Sequence, residues 1–150
     1  MNILVRQAEA TDLDALVPLF DGYRQFYGQS SDPAAARDFL SARFQHCESV
    51  VFIAHEGDAA VGFTQLYPLF SSVSMVRTFL LNDLFVSEDG RRQGVGAQLL
   101  DAAAAFAHGQ GAHNLTLSTA VANTQAQALY DSRGWQREQG FHVYNLALRD

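Results

Sequence analysis

The chain has 150 residues, 48% of them hydrophobic and 17% charged, with a net charge of -6. That length fits one domain around one core, and the mixture is globular rather than disordered or fibrous. The acidic balance argues against nucleic acid, which needs a basic stripe, and all ten basic residues are arginine, so Schiff-base and P-loop lysine chemistry are excluded.

Residues 3–6 form a short β-branched run that predicts a first strand. Thr11 or Asp12 then caps a helix with apolar positions at Leu13, Leu16, Val17 and Phe20. Aromatics continue at Tyr23, Phe26 and Tyr27 as far as Gly28. A second helix fits 34–44, with Pro33 in its first turn. Residues 50–55, 61–67 and 79–86 read as strands of an antiparallel meander, separated by a turn at 56–58 and a Ser-rich connection at 71–74. A helical run over 95–108 stops at Gly109 and Gly111. A strand at 115–118 and a helix at about 123–132 follow, and the apolar alternation of 141–148 suits a closing strand.

The single Cys47 rules out an intrachain disulfide and a multi-thiolate metal site, which makes a reducing cytoplasm the natural compartment. The thiol is expected to be buried and inert. The five histidines show no metal-ligand spacing, so no metal is assigned. The chain opens without a charged region followed by a long apolar run, and no apolar stretch reaches the ~20 residues of a membrane span. A membrane partner is therefore not expected.

Between the strand at 80–86 and the helix at 95–108 lies Arg91-Arg92-Gln93-Gly94-Val95-Gly96. A strand feeding such a turn into a helix aims unpaired backbone N–H groups and the positive end of the helix dipole at one point, where a pyrophosphate fits. Gly94 and Gly96 allow close backbone approach, and Arg91 and Arg92 can add charge-assisted bonds. A plain left-handed turn before a helix explains the same glycines. A dinucleotide fingerprint fits less well, because its third glycine is missing.

Arg91-x-x-Gly94-x-Gly96 resembles the acyl-CoA signature of the GNAT N-acetyltransferase family. A second stretch, Asn123, Ala126, Leu129, Tyr130, Gly134 and Trp135, resembles that family's later element, in the same order. The resemblance implies one N-acetyltransferase domain over 1–150, of α/β (α+β) class. Its central, mostly antiparallel mixed sheet would have six to seven strands, flanked by about four helices and splayed at the cofactor. It also implies acetyl-CoA as cosubstrate, held by Leu84, Phe85, Val86, the turn from Arg91 through Arg92, Gln93, Gly94 and Val95 to Gly96, Asn123 and Tyr130. A homodimer is a further implication.

Asn123, Ala126 and Tyr130 stand at helical spacings that share one face. A tyrosine, with a reference pKa of about 10, can give a proton to a departing thiolate. Asn123 is equally a helix cap. The run 81–86 is nearest to the fourth strand of diamine (spermidine/spermine) acetyltransferases, although Asn82 stands where they carry glutamate. Asp83 interrupts an apolar strand, so it faces either a polar cleft or an arginine such as Arg77. In the cleft it would orient the substrate ammonium or take its proton. Tyr23, Tyr27, Asn82 and Asp83 are the candidate substrate contacts, with aromatic faces able to hold a cation. The expected activity is acetyl transfer to a primary amine of small, polyamine-like or amino-acid-like type. An acyl-CoA-binding sensor and a protein lysine or N-terminal acetyltransferase are the alternatives.

Overall fold

A computed structural model of the chain describes residues 2–149, which fall into two compact units, Met1–Ser118 and Thr119–Asp150. In the first unit β1 (Ile3–Gln7), β2 (Val50–Glu56), β3 (Ala59–Ser71) and β4 (Val76–Val86) pair antiparallel in chain order. A fifth strand, β5 (Asn114–Thr116), lies parallel to β4, with Phe79 opposite Leu115. The reversal at the end follows from the connection: α3 (Val95–Gly109) is the crossover that a parallel neighbour requires.

The helices α1 (Leu13–Phe26) and α2 (Pro33–Gln45) join β1 to β2 and cover one face of the sheet. Leu16, Val17, Leu19 and Phe20 of α1 meet Leu40 of α2 and Ile53 and Phe63 of the sheet in one buried cluster. Each such side chain contributes about 1.5–3 kcal/mol by leaving water. On the other face α3 buries Leu99, Leu100, Ala103 and Ala107. Its Phe106 ring meets Phe52 and Phe79 edge-on, at 5.6 and 5.7 Å between ring centres.

The local signals largely hold. Asp32 caps α2, its Oδ1 accepting from the Ala35 N–H at 3.1 Å, with Pro33 at the first helical position. Asp12 begins α1, but its carboxylate is spent elsewhere. It accepts the Glu9 N–H at 2.8 Å and pairs with both outer nitrogens of Arg6 at 2.7 and 2.9 Å. The β3–β4 hairpin is longer than the sequence predicts, because β3 outruns β2 at Leu66. Pro68 then sits where only β4 pairs with it.

Three expectations are corrected. Among the described residues the sheet has five strands rather than six to seven. The second unit contains one helix, α4 (Thr124–Ser132), and residues 141–149 carry no strand. Their alternation is strand-like, but among the described residues that unit holds no other strand to pair with them, and Phe141 and Tyr144 are 80% and 90% exposed. Cys47 is exposed rather than buried, just past the end of α2 with φ at 53°, where the chain turns toward β2.

Candidate active site

Asp83 is the buried polar residue around which the site is built, with 2% of its surface exposed. Its position depends on a β-bulge. Gln65 stands opposite Asp83, but the next residue, Leu66, stands opposite Leu81, so Asn82 is an extra residue in β4. In an unbroken strand Phe79, Leu81 and Asp83 would all point toward α3. The extra residue turns Asp83 and Phe85 to the α1 side instead, next to Gln65 and Phe63.

There the carboxylate is held by amides rather than by a cation. Gln65 Nε2 donates to Asp83 Oδ2 at 2.5 Å and Asn82 Nδ2 donates to Oδ1 at 2.7 Å. The Thr64 hydroxyl fixes the Asp83 backbone carbonyl at 2.7 Å. The Tyr23 hydroxyl donates to the Asn82 carbonyl at 3.3 Å and also interacts with the Asp83 carboxylate. Burial pushes the Asp83 pKa up, and the bonds from Gln65, Asn82 and Tyr23 oppose that rise without cancelling it. Tyr67 is pushed up to about 12 by burial and by the Asp83 charge, and Tyr23 is raised further for the same two reasons. Both phenols stay protonated at neutral pH. Arg77 is not the partner of Asp83: its guanidinium lies over Phe70, 4.9 Å from the ring centre.

Asp83 and Asn82 line a cavity of about 370 Å³. Phe20 and Tyr23 of α1, Phe39 of α2 and Tyr67 of β3 wall it, and among the described residues Arg24 is the only cation that lines it. Phe20 and Phe39 are stacked at 5.6 Å, with their planes 12° apart. The expected substrate contacts Tyr23, Asn82 and Asp83 are thus brought together. Tyr27 is not among the lining residues. It packs edge-on against Tyr23 at 5.2 Å and is 53% exposed.

Beyond Leu80, β4 shares no further ladder with β5, so the sheet opens alongside Leu84, Phe85 and Val86. Their other edge still pairs with β3, Val86 standing opposite Gly62. The turn after Val86 is tied back to the sheet by the Ser87 N–H, which donates to the Val61 carbonyl at 2.8 Å. Gly90 packs so tightly there that a Cβ would lie 2.8 Å from that of Val61. Arg91 and Gln93 also brace the turn: Arg91 Nε donates to the Val86 carbonyl at 3.1 Å, and Gln93 Nε2 to the Asp89 carbonyl at 3.0 Å. Arg92 stands at φ 65° and is exposed.

Gly94 is the N-cap of α3 at φ 76°, and a Cβ added to it would meet nothing within 4 Å. The first bond of this helix runs from the Gln98 N–H to the Gly94 carbonyl at 3.0 Å. The N–H groups of Val95, Gly96 and Ala97 therefore open the helix with no carbonyl a turn before them. An open cradle of this kind, at the positive end of a 15-residue helix, fits the pyrophosphate of coenzyme A.

In the second unit Asn123 caps α4, its Oδ1 accepting from the Ala126 N–H at 3.1 Å. Asn123, Ala126 and Tyr130 are partly buried while Thr124, Gln125 and Ala128 are exposed, as the shared face requires. Tyr130 lies 6.1 Å from Trp135, whose N–H returns to the Tyr130 carbonyl at 3.1 Å. Gly134 makes that return possible at φ 87°.

Sequence reasoning passed over Gln65, Tyr67, Arg24 and Phe39. Only Gln65 left a signal, as a polar residue inside the apolar run 61–67; it is fully buried and its Oε1 has no hydrogen-bond partner.

Residues 14–135 match the model of the Acetyltransferase (GNAT) family. Over 146 residues, 97% of each chain, the protein is 49% identical to Uncharacterized N-acetyltransferase YhfO of Bacillus subtilis (strain 168). It is 32% identical to a probable acetyltransferase of Haemophilus influenzae, over 95% of this chain and 96% of that one. A crystal structure of a probable acetyltransferase matches with a TM-score of 0.92 at 42% identity, covering 100% of this chain and 99% of the other. With glycine turn, mixed sheet and sequence relatives in agreement, the chain belongs to the GNAT acetyltransferase family and is an acyltransferase.

Proposed function

We propose that the chain is a single N-acetyltransferase domain that moves an acetyl group from acetyl-CoA to a primary amine by direct attack in a ternary complex. The acceptor is a small, polyamine-like or amino-acid-like amine. The observation that carries this reading is Asp83: a carboxylate held in a 370 Å³ aromatic cavity, three residues before the end of the strand that leads into the glycine turn. A buried carboxylate with amide partners and no cation is completed by an ammonium.

Bound acetyl-CoA supplies the acetyl thioester. The N–H groups of the turn at 91–96 and of the start of α3 hold its pyrophosphate, Asn123 adds a hydrogen bond, and the backbone of Leu84, Phe85 and Val86 receives the pantetheine arm and polarises the thioester carbonyl. Asp83 orients the ammonium and takes one proton from it, directly or through water. The neutral nitrogen then forms the C–N bond as the C–S bond breaks. Tyr130 gives its proton to the departing sulfur, and the second amine proton leaves with solvent. No acyl-enzyme is required, because the amine attacks the thioester directly. The protein works in the cytoplasm, in keeping with its single cysteine, and as a homodimer, in keeping with the apolar side chains exposed at 141–148.

Free-thiol release from acetyl-CoA against a panel of primary amines tests this reading. Turnover is expected in wild type, with a loss of about 10²–10⁴-fold in kcat for Tyr130→Phe. Tight CoA binding without thiol release would instead identify a sensor. An unchanged rate in Tyr130→Phe would remove only the proton-donor role.

A further inference from the structure

The cavity beside Asp83 carries one negative and one positive side chain. The negative one is Asp83, bonded among the described residues by the Gln65 and Asn82 amides and the Tyr23 phenol. Also in the wall is Arg24, whose Nη1 donates to the Ser30 carbonyl at 3.2 Å. The nearby Asp21 carboxylate lies within range of the Arg24 charge but is already bonded by the Ser31 hydroxyl, the Asp32 N–H and Gln25 Nε2 at 2.7, 2.7 and 3.0 Å. The remaining lining is aromatic or methyl-sized, apart from the Asn82 amide already bonded to Asp83.

We propose that the acceptor is a zwitterionic primary amine, its ammonium seated at Asp83, its carboxylate at Arg24 and its body against Phe20, Phe39 and Tyr67. This deepens the amine-acetylation reading and rests on it. Charge balance decides the class. Among the described lining residues Asp83 and Arg24 are the two charged side chains, the Arg43–Glu48 pair beside Phe39 and Tyr67 adds no net charge, and a ligand with one charge of each sign meets both. A di- or polycation would bring a second positive charge into a lining whose one carboxylate among the described residues, Asp83, is already taken and whose cation, Arg24, repels it, leaving only aromatic faces as an offset. Guanidinium matches carboxylate with two parallel N–H donors, so Arg24 selects for the anionic end while Asp83 selects for the reacting end. Both residues are outside the glycine turn, and neither role is shared with the cosubstrate.

Thiol release is measured with matched pairs: para-(aminomethyl)benzoate against benzylamine and ε-aminocaproate against pentylamine, with spermidine as the polycation. In wild type at least one carboxylated amine should exceed its decarboxylated partner about tenfold in kcat/KM, the size of one charge-assisted contact, and spermidine should be the poorest acceptor. Arg24→Gln should abolish that advantage through KM with kcat little changed, and Arg24→Lys should restore part of it. The wild-type comparison needs no variant, so a misfolded Arg24→Gln leaves the test standing. Equal rates within both pairs, or spermidine as the best acceptor, overturn the proposal while leaving amine acetylation intact. No thiol release with any amine overturns the reading beneath it, and the proposal with it.

Discussion

The Asp83 floor and the turn at 90–96 lie within one short run of chain, yet they manage charge by opposite means. Asp83 is itself the charge, brought inside and stabilised by the side chains of Gln65, Asn82 and Tyr23. The turn brings almost no side chain to bear: Arg91 and Gln93 bond back to the protein, and the backbone N–H groups at the start of α3 are left open for the proposed ligand. The first device depends on which atoms a residue carries. The second depends on which atoms it lacks. Substitutions at the two places should therefore fail differently.

The largest expected effect is at Asp83. Asp83→Asn should lower kcat/KM by about 10²–10⁴-fold while CoA binding is retained. Because burial raises the Asp83 pKa, activity in wild type should rise with pH along an acid limb centred above the ordinary carboxylate range, and Asp83→Asn should lose that limb. The sign for stability is the reverse of the usual carboxylate. A raised folded pKa means that Asp83 contributes fully at low pH and loses that contribution as pH rises through its folded value. A kcat/KM profile without such a limb, measured beside urea titrations at several pH values, would erase the distinction between the two regions.

At the turn the expected loss is in folding first. Gly90→Val should cost about 1–3 kcal/mol of stability in urea unfolding, since its Cβ would lie 2.8 Å from the Val61 Cβ and 3.1 Å from the Val61 carbonyl oxygen. Unchanged stability would mean that the anchoring of the turn on β3 is loose. The smallest effect serves as a control far from both. The Arg6–Asp12 pair holds the Asp12 pKa down, from 3.8 to about 2, chiefly by the hydrogen bond from Arg6. Its contribution is present above the ordinary value and lost as pH falls toward about 2. Arg6 is 43% exposed, so Asp12→Ala should cost only about 0.5–1 kcal/mol near neutral pH. That difference should vanish in acid, the opposite trend to Asp83.

The glycine turn and the helix behind it were readable in the sequence because both are local: two glycines, a strand end and a 3.6-residue period fit within 20-odd residues of chain. The same holds for Pro33 at the start of α2. The depth of the site was not readable. Alternation from Phe79 and Leu81 puts Asp83 on the α3 side, and only pairing with β3 reveals the extra residue that reverses it. Arg24, Phe39 and Tyr67 reach the cavity from three separate elements, a relation that no spacing encodes. Residues 141–148 teach the converse: an alternating pattern states what a strand could bury, and says nothing of whether a neighbour is there to pair with it.

The bulge at Asn82 has a consequence for heredity as well as for shape. Because the reversal of Asp83 comes from a count of residues, losing one residue at this point would send the acid to the opposite layer with every codon downstream still reading the same letters. Length at residue 82 therefore decides which layer Asp83 faces, and under the proposed function a relative one residue shorter there would be expected to have a changed acceptor site.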